Sequence, residues 1–204
     1  MFEVRRFDPL DYSSLSESVA DALMDCELVP LAEVKAFNGP GIYALFYHGP
    51  FPAYAELSNH ETEDPGSWPI YIGKATPSTR MGKALMPDNF NGHDLYGRLR
   101  QHAQSIEQAD NLSVSDFSAK MLILSYIWVP MAETAMIGRY QPLWNSGIDG
   151  FGNHNPGAGR HGGMCSRWDT LHPGRPWVKN FVPRPETQSD IEHAAVQFLR
   201  QTMN

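Results

Sequence analysis

The spacing of apolar residues predicts a small sheet combined with helices. In GIYALFY, residues 41–47, apolar and aromatic side chains alternate between two faces, which is the period of a strand. PIYIG, residues 69–73, has the same alternation. Residues 118–127 form a nearly continuous apolar run, which is typical of a central strand buried on both faces. We expect these runs to pair in one small central sheet of mixed strand direction.

Apolar stripes at helical spacing predict four helices around this sheet. The first covers residues 14–27, the second begins near Asp94, and the third covers residues 130–140. The last begins near Ser189, which has capping-box spacing to Glu192. The pattern therefore predicts an α/β (α+β) fold in which a small mixed central sheet is flanked by helices.

Two long segments lack this periodicity. Residues 48–68 are rich in Pro, Gly, Ser and acids, and are too long for a tight turn, so we expect an inserted loop. Residues 145–175 hold many Gly, Pro, His and Arg, which favours an extended ordered loop region. We interpret residues 1–204 as one domain with a core at about 39–146, and with the loop region and last helix at 147–204.

Composition supports an ordered protein. A hydrophobic fraction of 42% is enough for a core, and Cys26 and Cys165 cannot form a framework of several disulfides. The first residues lack the apolar stretch of a secretory signal. The most apolar run, residues 121–132, is shorter than the roughly 20 residues of a membrane span. We therefore expect a cytoplasmic protein that has no membrane partner.

Charge is distributed unevenly along the chain. The formal net charge is −7, yet residues 71–102 carry five basic and two acidic side chains, and residues 138–184 carry six and two. Local positive potential attracts phosphate, while an acidic remainder limits non-specific adhesion. Chance clustering on a solvated surface would give a weaker form of this pattern. The two basic segments favour a polyanionic partner.

Two tyrosines fall at matching strand positions. Tyr43 and Tyr71 both point away from the isoleucines of their strands, so two phenols meet on one face if the strands pair. Either tyrosine alone is typical of an amphipathic packing residue. Gly73 and Lys74 follow directly, and Lys74 alone is typical of turn chemistry. The combination indicates that this end of the strand holds something anionic.

One acidic residue stands on an apolar stripe. Glu133 shares its predicted helix face with Met136, Ile137 and Tyr140. A carboxylate there is costly unless it is paired, hydrogen-bonded or bound to a metal. We expect it in the first helical turn, where the helix dipole favours an anion. It is either a capping residue or a ligand of a hard cation.

These motifs together resemble the GIY-YIG nuclease superfamily. GIY at 41–43 and YIG at 71–73 are similar to its two signature strands, and a helix with Arg98, a helix with Glu133 and the downstream Asn145 follow in the family's order. PLWNSGIDGFGNHNPGAGR, with HPGRPW after it, further resembles the branch of Type II restriction endonucleases whose prototype cuts CCGCGG. The 27 residues between the signature tyrosines exceed those of compact members and are similar to that branch.

The resemblance implies hydrolysis of a DNA phosphodiester around one water molecule. It makes Tyr43 the base or the water-positioning residue, and His102 its proton acceptor. Arg98 would act on the scissile phosphate. Without the resemblance, Arg98 and His102, four residues apart, are equally typical of a solvated helix face.

The resemblance also assigns the remaining site residues. Tyr71 and Lys74 would orient water and phosphate. Glu133 would hold a single Mg²⁺, with Mn²⁺ as a substitute, since Mg²⁺ often takes only one or two carboxylates plus water and phosphate. Asn145, otherwise typical of turn chemistry, would fix a tyrosine hydroxyl or the active-site backbone.

The segment between residues 150 and 175 is interpreted as a DNA-facing region. Arginine matches phosphates and guanine edges, which suits a G·C-only site. The candidate DNA contacts are His154, Arg160, Arg167 and Arg175. A zinc set of His154, His161, Cys165 and His172 is a weak alternative, because its spacings fit no compact zinc template.

We therefore expect a Mg²⁺-dependent Type II restriction endonuclease that cuts double-stranded DNA, with CCGCGG as the site that the resemblance implies. Because one centre attacks one phosphodiester, cutting both strands of a palindrome most simply needs a homodimer on DNA. A cognate DNA methyltransferase would be its functional counterpart. The alternatives are a structure-specific or weakly specific repair nuclease and a catalytically idle DNA-binding module.

Overall fold

Four strands form one sheet in a computed structural model of the chain, which describes residues 12–76, 91–155 and 162–203. The strands are β1 (Val29–Pro30), β2 (Gly41–Tyr47), β3 (Tyr71–Ala75) and β4 (Phe117–Ile123). Their order is β1-β4-β2-β3, so β2 lies inside the sheet and β3 lies at an edge.

The α+β class is confirmed, but the expected mixture of strand directions is wrong for the described strands. Each described pair, β1 with β4, β4 with β2 and β2 with β3, is antiparallel. Alternation of side chains identifies a strand but carries no information on its direction. β4 is internal as predicted, yet Ile123 at its end is 46% exposed, so only its first half is covered on both faces.

Helices cover both faces of the sheet. They are α1 (Tyr12–Met24), α2 (Ala55–Glu63), α3 (Asp94–Glu107), α4 (Val129–Tyr140), α5 (Arg167–Leu171) and α6 (Gln188–Thr202). Residues of α3 and α6 pack with the face of β2 that carries Tyr43, while α1 and α4 pack with the face that carries Ile42. All seven residues of β2 are therefore buried.

The predicted helix starts hold for α3 and α4, while the capping box of α6 is shifted. Thr187, not Ser189, is the N-cap: its hydroxyl accepts from the Asp190 backbone N–H, and the Asp190 carboxylate accepts from the Thr187 N–H at 2.8 Å. The sequence contains both spacings, Thr187 to Asp190 and Ser189 to Glu192, and only the first is used as a cap.

The segment 48–68 is not simply a loop, and this prediction is corrected. It contains a short 3₁₀ turn, Pro52–Tyr54, followed by α2. Within α2 the aliphatic side chain of Leu57 is buried, and the buried Glu61 accepts the Gly66 N–H at 2.9 Å. The helix lacks a clear apolar stripe because an acid occupies one of its buried positions.

The segment 145–175 also has more structure than expected. It contains α5, whose N-cap is Ser166, and Leu143–Gly147 form a π-helical turn at its start. None of the helices in the described ranges is both long enough and apolar enough to cross a bilayer.

Candidate active site

Pairing of β2 with β3 brings the two signature tyrosines together. Tyr43 lies opposite Gly73, and Tyr71 lies opposite Leu45, so the tyrosines are diagonal neighbours on one face. Their ring centroids are 6.1 Å apart. Tyr43 is fully buried, whereas Tyr71 lies at the surface of a cleft. The two phenols thus occupy an inner and an outer position of one site.

Position 73 has no room for a side chain, so glycine is required there. A Cβ on Gly73 would lie 2.3 Å from the Tyr43 hydroxyl oxygen and 2.9 Å from Cε1 of Tyr71. Real Cβ atoms do not approach other heavy atoms so closely. The glycine of the YIG motif therefore lets the Tyr43 hydroxyl lie directly against β3.

His102 of α3 completes the inner part of the site. Its side chain is 2% exposed, and its Nε2 is hydrogen-bonded to the Tyr43 hydroxyl. Burial, and after it the positive charge of Arg98, lowers the pKa of His102 far below its usual value. Burial likewise raises the pKa of Tyr43 well above 10.0. These shifts favour the neutral form of both groups, and the burial of His102 excludes a solvated helix face for it.

Arg98, one turn earlier in α3, lies at the cleft. Its Nη2 donates to the Gly152 carbonyl at 3.0 Å, and its Nη1 donates to Gln101 Oε1 at 3.2 Å. Nη1 also contacts the imidazole of His154. Partial burial, followed by the charge of Arg98, lowers the pKa of His154. None of these three contacts is with a carboxylate. They hold the guanidinium in place without neutralising its positive charge.

Lys74 and Glu133 form an ion pair beyond the other face of β3. Lys74 alternates with Tyr71 and Gly73 along the strand, so it points toward α4. Its Nζ lies 2.6 Å from Glu133 Oε2, and the two side chains are 40% and 19% exposed. Glu133 is the fifth residue of α4 and lies beyond the first turn. Its expected position in the first turn is therefore wrong, and so is a role as a capping residue.

Asn145 holds the backbone of the edge strand. Its Oδ1 accepts from the Ile72 N–H and its Nδ2 donates to the Ile72 carbonyl, both at 2.8 Å. The preceding Trp144 N–H donates to the Ile70 carbonyl at 3.0 Å. The side-chain amide takes the place of a neighbouring strand between Tyr71 and Gly73. Of the two expected contacts of Asn145, the structure contains the one with the backbone.

An open cleft of about 760 Å³ crosses the edge of β3 and joins these parts. Tyr71 and Arg98 line it from one face of the sheet, and Lys74 and Glu133 line it from the other. The exposed His154 lines it as well. The cleft therefore presents a phenol, two cations and a carboxylate side by side, with the Tyr43–His102 pair behind them.

The cleft fits a hard cation bound through one protein ligand. Among the described residues no three His, Cys, Asp or Glu side chains lie close enough together to form a metal cage. Mg²⁺ does not require one, since it commonly takes one or two carboxylates and completes its shell with water and phosphate. The Lys74 ammonium already sits against the Glu133 carboxylate. The carboxylate thus lies in a position suited to a positive charge.

The candidate DNA contacts are divided by the structure. Arg167 is bound within the protein, since its Nη1 donates to the Gly147 carbonyl at 2.7 Å and its Nε lies 3.3 Å from Glu186. Arg175 is 2% exposed, so its prediction as a DNA contact is wrong. Its guanidinium is used for packing inside the protein. Arg160 lies outside the described residues, and His154 remains at the cleft.

His172 of the zinc alternative is used inside the core. Its Nε2 is hydrogen-bonded to the Tyr54 hydroxyl at 2.6 Å and its Nδ1 to Asn111 Oδ1 at 2.8 Å. Burial lowers the pKa of His172 to about 3. His161 lies outside the described residues, while the Cys165 thiol accepts from the Thr170 hydroxyl at 3.5 Å.

Sequence reasoning missed two residues that touch the site. Phe151 stacks on His102 with ring centroids 4.5 Å apart, and a Cβ on Gly152 would lie 2.9 Å from the Tyr71 hydroxyl oxygen. The signal was present in DGFGNH, where a single aromatic residue stands between glycines in an otherwise polar stretch.

A comparison of the sequence with known protein families gives a match that covers this cleft. The sequence matches the family described as the Eco29kI GIY-YIG domain over residues 35–199. The matched range contains β2, β3, α3, α4 and the Asn145 turn, and thus every residue of the cleft named above. A sequence comparison with curated proteins gives no match.

Proposed function

Since the chain belongs to the Eco29kI GIY-YIG domain family of restriction-type nucleases, we propose that it is a Mg²⁺-dependent Type II restriction endonuclease that hydrolyses double-stranded DNA at a specific G·C palindrome. The convergence of Tyr71, Arg98 and Glu133 on one cleft, from three separate elements, carries the proposal. DNA is the substrate of the nuclease domain, and the three side chains match the needs of a phosphodiester.

The Tyr43–His102 pair supplies the path for the proton. The attacking water gives a proton to the Tyr43 oxygen while the phenolic proton moves to His102 Nε2, to which it is already hydrogen-bonded. Burial favours the neutral imidazole, and its tautomer with the proton on Nδ1 has an Nε2 that takes that proton. Because Tyr43 is buried, the water approaches it beside Tyr71, which lines the cleft. Tyr71 positions the water.

The cations of the cleft act on the phosphate. As the oxygen of the water bonds to phosphorus, the bond from phosphorus to the 3′ oxygen breaks, and negative charge builds on the phosphate. Arg98 is held toward the cleft by the Gly152 carbonyl and stabilises that charge, and Lys74 orients the phosphate from the other side of β3. Mg²⁺ held by Glu133, with Mn²⁺ as a substitute, would supply Lewis-acid stabilisation of the phosphate and of the leaving oxygen.

Site specificity and assembly are further parts of this proposal. CCGCGG is the proposed site, by analogy with the restriction branch that the sequence resembles. A two-fold homodimer on DNA would place one cleft on each strand of the palindrome. A methyltransferase that modifies the same site would protect the host DNA. His154 is the predicted DNA contact that lines the cleft.

The decisive experiment is cleavage of two plasmids that differ by a single CCGCGG site. With Mg²⁺, the plasmid that has the site should give one discrete linear product, and the plasmid without it should stay supercoiled. Sequencing the fragment ends then gives the cut position. Random nicking of both plasmids would reject site-specific cleavage. A branched junction cut better than linear duplex would favour the repair nuclease.

The role of Glu133 is tested by Glu133→Gln, with Glu63→Gln as a matched control. Glu63 is an exposed residue at the end of α2. Glu133→Gln should bind duplex DNA in a gel-shift assay but should not cut it, whereas Glu63→Gln should behave like the unaltered protein. Cleavage by Glu133→Gln at the unaltered rate would overturn the assignment of the carboxylate to the metal.

A further inference from the structure

Arg175 is a buried cation that binds two successive carbonyl groups. Its Nη1 donates to the Gly150 carbonyl at 3.1 Å and its Nη2 donates to the Phe151 carbonyl at 2.7 Å. The guanidinium carbon lies 4.0 Å from the centre of the Trp168 ring. The planar fork of arginine suits such a double contact, and a lysine ammonium cannot span both carbonyls while stacking on an indole.

Asp169 compensates the charge of Arg175 inside the protein. Asp169 Oδ1 lies 3.3 Å from Arg175 Nη1, and the Ser166 hydroxyl donates to Asp169 Oδ2 at 2.6 Å. Burial lowers the pKa of Arg175, and the carboxylate of Asp169 opposes that shift. A buried guanidinium is tolerated only with such partners. The pair thus forms a fixed base for the segment that Arg175 holds.

The segment Gly150–His154 runs from this base to the site. Gly150 has a φ of +113°, and a Cβ there would lie 2.0 Å from the Ser166 hydroxyl oxygen, so the start of the segment is fixed against α5. The Phe151 ring lies on His102 at an angle of 20°. The Gly152 carbonyl accepts from Arg98. Arg175 therefore binds the two carbonyls that precede the contact with Arg98.

We propose that Arg175 is a positioning residue of the nuclease site: through the Gly150–His154 segment it sets the place of the His102 imidazole and of the Arg98 guanidinium. This inference rests on the proposed function. Arg175 acts through the segment and does not contact DNA, which is consistent with its burial. This positioning role would explain why Arg175 is buried near the site although the proposed proton path does not use it.

Arg175→Lys is the principal test, because it keeps a positive charge beside Asp169 but removes the double contact. We expect kcat to fall by about 10- to 100-fold, as displacements of about 1 Å in a catalytic group do, and KM to change by less than about threefold. Arg184→Lys is the matched control. Arg184 donates to the Cys165 carbonyl and pairs with Glu186 instead of binding the Gly150–His154 segment.

A second readout uses the protein without metal or DNA. The nitrogen resonances of the His102 ring, identified by their loss in His102→Asn, should shift in Arg175→Lys and stay in place in Arg184→Lys. Phe151→Leu removes the stacked ring without altering the Arg175–Asp169 pair, so it should shift the same resonances and lower kcat. It also provides the test if Arg175→Lys does not fold.

The proposal would be overturned if Arg175→Lys left both the His102 resonances and kcat unchanged. If only Phe151→Leu folds, the same result in that variant would overturn it. A fall in kcat shared equally by Arg184→Lys would also overturn it, since the effect would then be general destabilisation. If the unaltered protein cuts no DNA, the proposed function fails. The resonances of His102 still report whether Arg175 places that ring, so the two failures are distinguishable.

Discussion

Lys74 Nζ lies 2.6 Å from Glu133 Oε2, across the edge of β3. The sequence places these residues 59 positions apart and gives them separate roles, as a phosphate-orienting cation and as a metal ligand. The structure brings the two side chains together in one ion pair. An ammonium group and a metal ion at the same oxygen repel each other, so the proposed binding of Mg²⁺ by Glu133 would require this ion pair to open.

We expect Lys74→Met to bind Mn²⁺ more tightly than the unaltered protein in the absence of DNA. Partly exposed ion pairs contribute about 0–1 kcal/mol, so removing the competing ammonium should lower the Kd by up to about fivefold. Cleavage of DNA should nevertheless be slower, because the phosphate loses a cation. Electron paramagnetic resonance of free Mn²⁺ measures the affinity.

The control for this prediction is Lys179→Met. Lys179 is an exposed residue of the 3₁₀ turn Pro176–Asn180 and does not line the cleft. Lys179→Met removes one positive charge, as Lys74→Met does, so it corrects for the general electrostatic effect on cation binding. Equal Kd values for the two variants would contradict direct competition at Glu133.

Tyr43 and His102 should behave as one unit in catalysis. In the proposed path, Tyr43→Phe removes the hydroxyl that takes the proton from water, and His102→Asn removes the ring that takes the phenolic proton. Each substitution should lower kcat by about 10²- to 10⁴-fold, the usual size of a general-base effect. The double variant should be no slower than the slower single variant, because both remove the same path. Single-turnover cleavage rates measure this, and multiplicative losses would show that the two residues act independently.

Gly73→Ala should abolish cleavage through a steric effect on Tyr43. The new Cβ would lie 2.3 Å from the Tyr43 hydroxyl oxygen, so the phenol or the strand has to move. Gly138→Ala is the matched control. A Cβ at Gly138, inside α4, meets no described atom within 4 Å, and alanine should stabilise the helix by up to about 1 kcal/mol. Cleavage and thermal unfolding are measured for both. Full activity of Gly73→Ala would contradict the close approach of Tyr43 to β3.

The parts of this site that follow a local period were predictable from sequence. Alternation placed Tyr43 and Tyr71 on one face once β2 and β3 were assumed to pair, and the apolar stripe of α3 placed its start at Asp94. His102 was harder. It occupies a buried position of α3, where an apolar residue is the usual choice, and its hydrogen bond to the Tyr43 hydroxyl satisfies one of its ring nitrogens.

Contacts between distant segments could not be predicted from periodicity. Whether an arginine is buried in the protein or available to a ligand depends on whether a carboxylate and carbonyl groups surround it in the fold. Arg175 therefore looks in sequence like a candidate DNA contact, yet it is enclosed by Asp169, Trp168 and two carbonyls. The same limit applies to the strand directions, since antiparallel pairing depends on how the intervening helices return the chain.

His172 should make the protein less stable in mild acid. Its pKa falls from 6.5 to about 3 on burial, so below about pH 6.5 the unfolded chain binds a proton that the folded protein does not. The free energy of unfolding should therefore decrease as the pH is lowered from about 6.5 toward 3, by up to about 1.4 kcal/mol per pH unit for this residue. His102 acts in the same direction.

The buried acids oppose this trend at the lower end of the range. Burial raises the pKa of Asp169 and of Glu61, so the folded protein takes up their protons first as the pH falls. Replacing His172 isolates its own effect. His172→Gln should flatten the pH dependence in urea unfolding, whereas His193→Gln, which alters an exposed histidine of α6, should not. Equal slopes for the two variants would contradict the account.

Asn145→Asp should destabilise the attachment of β3 at neutral pH, and acid should reverse this effect. At neutral pH the new carboxylate still accepts from the Ile72 N–H but faces the Ile72 carbonyl without a donor. The unfavourable contact should lower the free energy of unfolding by about 1–3 kcal/mol. Cleavage should fall as well, since Ile72 lies between Tyr71 and Gly73.

Protonation of the carboxyl group supplies the missing donor, so the folded state favours the neutral acid and raises its pKa above that of the unfolded chain. The deficit in stability should therefore be complete above the folded pKa and should shrink as the pH falls through it toward the unfolded value. Asn59→Asp, at an exposed position in α2, introduces the same charge away from β3. Urea unfolding of both variants between about pH 4 and about pH 8 measures the difference. A deficit in Asn145→Asp that does not change with pH would mean that the amide donor is not what holds Ile72.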